Sequence, residues 1–305
     1  MSEENLPARI FEETHSTFRP ISEGAEKWLH RPIQCLDHGF VYLVDYMGCD
    51  ESIAQAARVS YGKGTKKVNE DRGLIRYLRR HLHTTPSEMV EFKFHCKMPI
   101  FVARQWIRHR TANVNEYSGR YSKMLDEFYL PEPAVLKKQS ADNRQGRSEN
   151  LSEEDQRFVL GLLKAEYNSQ YRTYKRFIDD VGLAKELSRI GLSVANYTQW
   201  YWKIDLHNLL HFLRLRLDTH AQYEIRVFGE AMARIIKDAM PISYGAFEDY
   251  QLYALSFSRL ELDILSQNQW PMDMPRLSAI LERGIVNKRE RSEFLDKLKR
   301  LNFVA

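Results

Sequence analysis

Cysteine is scarce in this chain: Cys35, Cys49 and Cys96 are three in 305 residues, an odd number without a CxxC pair. They imply neither a disulfide framework nor a zinc knuckle, and a reducing cytoplasm is the simplest home for them. No stretch approaches the roughly 18 consecutive apolar residues that a membrane-spanning helix needs. The opening run Met1-Ser2-Glu3-Glu4-Asn5 has no basic segment followed by an apolar one, so no signal peptide is expected. Common catalytic machinery is missing too. Gly62-Lys63-Gly64-Thr65 is not G-x-x-x-x-G-K-S/T and reads as a lysine-rich turn. No G-x-G-x-x-G follows a strand, so any dinucleotide must bind without a Rossmann fingerprint. No G-x-S-x-G nucleophile elbow exists.

What is present is an ordinary globular composition, 43% apolar and 28% charged, with length enough for a sizeable core. A formal charge of +4 suits anionic ligands but falls short of a dedicated nucleic-acid binder.

Residues 1–35 show no sustained period and read as an N-terminal extension. A strand is expected over Phe40–Tyr46, then a short helix through Ala57 with Asp50 as its N-cap. A helix over Glu70–His81 leads to a turn at His83–Ser87. Val90, Phe92, Phe94, Cys96 and Met98 alternate with Glu91, Lys93, His95 and Lys97, the pattern of a half-buried strand. Pro99 ends it, and Ile100–Arg110 reads as a helix entering a polar loop, Ala112–Ser122. Residues 137–150 read as a solvated loop. Ser152 with Asp155 marks the start of a long helix that Gly182 terminates. Leu206, Leu209, Leu210, Leu213 and Leu217 form one apolar helical stripe. Helical pattern resumes over Ala221–Lys237, and the charged tail from about Ser258 is helix-prone. The class is α+β, helix-rich with a small antiparallel sheet.

The densest polar cluster runs from Arg108 to Tyr121. At 100° per residue Arg108 and Arg110 diverge on a helix, whereas Gln105 and Arg108 share a face. The following Ser118-Gly119-Arg120 suits phosphate, because glycine lets backbone N–H groups approach and arginine forks onto two oxygens. The pattern argues for an anion site without naming the anion. A second cluster holds Arg214, Arg216 and His220, with Arg216 and His220 as i,i+4 neighbours. His207 and His211 have a metal-compatible spacing, but Asn208 stands where H-E-x-x-H needs glutamate and no third ligand is evident, so no metal is expected. They read equally as a surface pair or as a ligand-contacting pair. Cys49 precedes a helix N-terminus, which could lower its pKa, yet no partner base accompanies it.

Arg108-His109-Arg110, seven residues, then Ser118 resembles the RHR(X)7S signature of flavin-dependent thymidylate synthases. Pro99–Trp106, Ala56-Ala57-Arg58-Val59-Ser60, the His83…Thr85-Pro86…Glu88 turn, Ser188-Arg189-Ile190 and Leu215–Gln222 resemble that family in order, over residues 36–256. The resemblance implies a catalytic domain over 36–256, with residues 1–35 and a charged helical 257–305 as extensions. It implies a homotetramer with sites shared between subunits, FAD, NADPH and 5,10-methylenetetrahydrofolate, and reductive methylation of dUMP to dTMP without a cysteine nucleophile. It assigns dUMP to Gln105, Trp106, Ile107, Arg108, Glu116, Tyr117, Ser118, Gly119, Arg120, Arg189 and Arg216, with Arg216 catalytic. It assigns FAD to Ser60, Thr85, Glu88, Arg108, His109, Arg110, Glu116, Asp205, His207, His211 and Gln222. Asp205, His207 and His211 depart from the asparagine or arginine common among relatives, and Met89 stands where others have histidine. The alternatives are another folate- and FAD-dependent methylase acting on RNA, or a basic RNA-binding protein that uses Arg108, Arg110, Arg120 and the tail lysines on phosphates.

Overall fold

The computed structural model describes residues 18–59, 68–140 and 146–304. Ser60 and the Gly62–Thr65 turn therefore lie outside the described residues. The chain divides into two compact units, the first ending at Phe247 and the second running from Glu248 to the C-terminus.

In the first unit, α1 (Glu23–Glu26), β1 (Ile33–Cys35), β2 (Gly39–Met47), α2 (Asp50–Arg58), α3 (Val68–Arg80), β3 (Glu91–Pro99), α4 (Ile100–Trp106) and β4 (Asn113–Glu116) follow in order. Then come β5 (Lys137–Gln139), β6 (Arg147–Asn150), α5 (Glu153–Asp179), α6 (Lys185–Ser188), β7 (Tyr197–Asp205), α7 (Leu206–Arg216), α8 (Tyr223–Ala239) and α9 (Pro241–Phe247). The main sheet is antiparallel, in the order β1-β2-β3-β7-β4. Its period-two alternation decides which face is dry. Val41, Phe92, Phe94, Cys96, Met98 and Trp202 are fully buried on one face. There Trp106 of α4 packs against Trp202 and Phe212 at centroid distances of 5.2 and 5.1 Å. The other face carries polar ladders, such as Lys203 Nζ donating to Glu91 at 2.8 Å. His95 sits there between Tyr42 and Gln199, at 2.8 and 3.1 Å.

Several local expectations change. Residues 33–35, read as extension, form the edge strand β1. Cys49 rather than Asp50 is the N-cap of α2. The Asp50 carboxylate instead accepts hydrogen bonds from the Ile242 and Ser243 backbone N–H groups, at 2.8 and 3.0 Å, at the start of α9. Helix α4 stops at Trp106 instead of reaching Arg110, because the chain must return as β4 along β7, inside what read as a polar loop. The solvated loop at 137–150 contains the hairpin β5–β6, whose side chains are exposed and so leave no apolar alternation to read.

Other signals hold. Ser152 Oγ accepts from Asp155 N–H at 3.1 Å and caps the 27-residue α5, while Gly182 just beyond its end has φ +71°. Ser152→Ala should cost about 1 kcal/mol, read as a lower urea midpoint with unchanged slope.

In the second unit, α10 (Arg259–Gln267), α11 (Met274–Gly284) and α12 (Lys288–Arg300) enclose a core of their own around Leu277, Leu281, Phe294 and Leu298. Among the described residues no helix is long and apolar enough to cross a membrane.

Candidate active site

β7 runs directly into α7, and the Asp205 carboxylate at the junction accepts from Asn208 N–H at 2.9 Å and Asn208 Nδ2 at 2.7 Å. Asp205 is thus the cap of α7. Both its oxygens take part in this cap, each with acceptor capacity to spare. The cap fixes the first turns of α7, where His207 and His211 come to one face. The chain leaving α4 crosses in front of them, tied by Thr111 Oγ1 donating to Asn208 Oδ1 at 2.9 Å. Arg108, His109, Arg110, Thr111, His207, Asn208 and His211 line one cleft of 600 Å³. No carboxylate is among them.

At the far end of α7, Arg216 is half-buried. Its Nε and Nη2 both donate to His109 Nε2, at 3.2 and 2.9 Å. A guanidinium has no acceptor, so His109 Nε2 must carry the lone pair and Nδ1 the proton. Burial first, then Arg216, His211 and Arg108, lowers the His109 pKa from 6.5 to about 4. The imidazole is therefore neutral at physiological pH, as the hydrogen bond requires. Arg216 is itself lowered by burial and by Arg108 nearby. Two neighbouring guanidiniums without a carboxylate ion pair among the described residues favour an anion or developing negative charge near them. Gly229 of α8 makes room for this, since a Cβ there would lie 3.2 Å from the Arg216 Cβ.

The sign of the His109 shift yields a test. Unfolded chain takes up this proton near 6.5 and folded chain only near 4, so the contact stabilises fully above 6.5 and is lost as pH falls toward 4. NMR titration of the His109 ring should find it neutral throughout pH 5–8. A midpoint above 6 would contradict the Arg216 contact.

The Ser118-Gly119-Arg120 loop forms a second group. Arg120 N–H donates to Ser118 Oγ at 3.3 Å, and Tyr121 and Ser122 N–H groups donate to the Ser118 carbonyl. Gly119 is buried, and a Cβ on it would meet Met124 Sδ at 2.6 Å and Arg189 Cδ at 3.2 Å. That close approach brings Arg189 beside the loop, as its inclusion with Arg120 requires. Arg120 also faces Glu186 at 3.4 Å, exposed on both sides. Glu116 accepts from Thr198 Oγ1 at 2.7 Å.

These two groups sit toward opposite ends of one strand. Asn113 pairs with Lys203, and Tyr117 N–H donates to the Gln199 carbonyl at 2.8 Å. Those points are four residue steps apart on β7, about 13 Å at the rise of an antiparallel strand. Arg110 lies before the first and Ser118 beyond the second.

Other expected site residues are dispersed. The Trp106 indole, expected at dUMP, is fully buried among aromatic rings. Ile107 and Arg108 follow α4 and are exposed, so the helical angles assumed for Arg108 and Arg110 do not apply. Tyr117 donates its hydroxyl to the Lys123 carbonyl at 2.7 Å. Thr85 and Glu88 lie on a 3-10 turn, Thr85–Met89, packed on α7, and Thr84 Oγ1 donates to Glu88 at 3.2 Å. Because α7 ends at Arg216, His220 is not its helical neighbour; it is exposed and bonded to Asp218 at 2.8 Å. Gln222 lines a separate 700 Å³ cleft under β5–β6. Sequence reasoning missed Glu224, which is 3% exposed and accepts from Arg147 at 2.8 and 2.7 Å, Tyr129 at 3.2 Å and Gln222 at 2.9 Å. A glutamate in the first turn of a helix carries no such signal, and two of its three partners, Tyr129 and Arg147, come from distant segments.

Gln105 Oε1 and His207 Nδ1 are buried without a hydrogen-bond partner among the described residues. Such atoms in a polar cleft call for a ligand or water. The thiols offer no nucleophile there: burial pushes Cys35 up to about 12 and Cys96 well above its ordinary value. Burial also raises Cys49, against the lowering that its place before α2 suggested.

The sequence profile of the family described as "Thymidylate synthase complementing protein" matches residues 42–242. The flavin-dependent thymidylate synthase of Ehrlichia ruminantium (strain Gardel) is 53% identical over 286 residues, covering 94% of each chain. That of Ruegeria pomeroyi is 57% identical over 255 residues, covering 83% of this chain and 84% of the relative. The crystal structure of the UMP/dUMP methylase PolB from Streptomyces cacaoi bound with 5-Br UMP superposes with a TM-score of 0.65 at 32% identity, covering 72% of this chain and 98% of that one.

Proposed function

Because the chain belongs to the flavin-dependent thymidylate synthase family, we propose that it converts dUMP to dTMP, using FAD, NADPH and 5,10-methylenetetrahydrofolate without a cysteine nucleophile. The observation that carries this reading is the Arg216–His109 contact, which holds a half-buried guanidinium near Arg108 with no carboxylate in ion-pair distance of either among the described residues.

The residues present fit a phosphate-bearing flavin. The first cleft offers arginines, histidines, a hydroxyl and an amide, and the orphaned His207 Nδ1 belongs to one of its lining residues. Arg108, Arg110, His207 and His211 would hold the cofactor, with Thr85 and Glu88 behind them. When bound, the flavin supplies the hydride that completes the methyl group. Arg216 orients the uracil ring and stabilises negative charge on it; two of its donors are spent on His109 and the remaining fork faces the substrate. The neutral His109 keeps the guanidinium fixed without competing for that charge. Ser118, Gly119 N–H, Arg120 and Arg189 take the nucleotide phosphate, and Ser118 is a hydrogen-bonding group there.

The separation along β4 supports a shared site: dUMP bound near Arg216 of one copy would take its phosphate contacts from the Ser118 loop of another, in a homotetramer. The buried, protonated thiols support a route that avoids cysteine attack. Cytoplasmic residence accords with three reduced cysteines.

Purified protein should be yellow, and should form dTMP from dUMP when given NADPH and methylenetetrahydrofolate. A colourless protein that binds RNA with steep salt dependence would favour the RNA-binding alternative, and methyl transfer to RNA with indifference to dUMP would favour the RNA methylase.

A further inference from the structure

Arg79 on α3 is only 6% exposed, yet its guanidinium makes one hydrogen bond, to Ser87 Oγ at 3.2 Å, and faces no carboxylate within ion-pair distance among the described residues. A buried cation without a counter-charge is costly, and such groups in folded proteins are ordinarily paired. Burial alone lowers Arg79 to about 10, with no carboxylate opposing it. The group therefore remains charged and wants an anion.

Its surroundings point the same way. Ser87 belongs to the 3-10 turn that packs against α7. Arg79 is near enough to His207 to lower that histidine's pKa, second only to burial. His207 lines the polar cleft, and its Nδ1 is one of the buried atoms without a partner. The 3-10 turn thus links an uncompensated guanidinium, bonded to its Ser87, with the helix α7 that carries the unpaired imidazole nitrogen of His207.

We propose that Arg79, with His207, forms the subsite that takes a phosphate oxygen of the bound flavin dinucleotide. This rests on the flavin reading above and assigns that ligand's anionic arm to a residue outside the recognised signature. The pyrophosphate is the charged part of a flavin dinucleotide, and a forked guanidinium in a desolvated place binds it strongly and selectively.

The test is ligand binding by full-length protein stripped of flavin, comparing wild type with Arg79→Met and Arg79→Lys. The probes are FAD, riboflavin and inorganic pyrophosphate, with flavin fluorescence and thermal unfolding as readouts. Arg79→Met should bind FAD about tenfold to a hundredfold more weakly, bind riboflavin as wild type does, and lose the stabilisation by pyrophosphate. Without ligand it should unfold no lower than wild type, because an unpaired buried charge has been removed. Should Arg79→Met fail to fold, Arg79→Lys decides: a point charge without the fork should weaken FAD severalfold and leave riboflavin unchanged. Unaltered FAD affinity in the variants, or equal loss of FAD and riboflavin, overturns the subsite. A wild type that ignores FAD but is stabilised by pyrophosphate through Arg79 would retain the anion site and refute the flavin reading instead. Indifference of wild type to both probes overturns the subsite itself.

Discussion

Arg216→Ala should slow single-turnover formation of dTMP about a hundredfold, equivalent to roughly 3 kcal/mol of lost transition-state stabilisation. The size follows from the way the side chain is held. Its Nε and Nη2 are fixed on the His109 lone pair, so the fork is aimed before substrate arrives. On the proposed reading, charge that develops on the uracil ring would then meet a preorganised, half-desolvated cation. Arg216→Lys should recover only part of the rate, because an ammonium can neither grip the imidazole twice nor present a planar edge. Flavin content should stay near that of wild type. A rapid-quench measurement on flavin-reduced protein isolates this step from NADPH binding, and an unchanged rate in the alanine variant would remove Arg216 from the chemistry.

Glu224→Ala should cost about 3 kcal/mol of stability in urea unfolding. The carboxylate is nearly inaccessible and collects donors from Arg147 on β6, Tyr129 before the hairpin and Gln222 at the start of α8. Removing it strands an arginine and a buried tyrosine hydroxyl, and the penalty of unpaired groups exceeds the net worth of the bonds. Amide exchange should quicken in β5–β6 more than in the main sheet, since the Glu224–Arg147 pair is the polar tie between that hairpin and α8. A variant as stable as wild type would mean that the hairpin is held by other means.

Where a pattern was local, the sequence disclosed the structure. The alternation Val90–Met98, the leucine stripe of α7 and the Ser152 cap each express a period or hydrogen bond within a few residues, and each recurs in the coordinates. Where the deciding partner was remote, the sequence was silent. Helix α4 looked four residues longer than it is because nothing in Ile107–Arg110 opposes helix; β7, some ninety residues later, recruits the following segment as β4. Asp50 has the chemistry of a cap, but its carboxylate is claimed by the start of α9. The candidate site followed the same division. RHR(X)7S drew attention to two polar groups that the fold sets apart, while Asp205, expected at the flavin, caps α7, and Trp106, expected at dUMP, is packed in the core. The buried Arg79 and Glu224 carried no local mark. Their interest comes from charge placed where water cannot reach it, which only the assembled fold reveals.

The central claim is that the arginine group at one end of β4 and the Ser-Gly-Arg group at the other complete a site only when supplied by different copies of the chain. Subunit complementation tests it most directly. Arg216→Ala protein and Arg120→Ala/Arg189→Ala protein, each inactive alone, are co-expressed with different tags and the mixed oligomer is purified through both. The account predicts that dTMP formation returns in the mixed oligomer, since some sites then receive both intact groups. Mixed oligomers no more active than the sum of the two parents would contradict it.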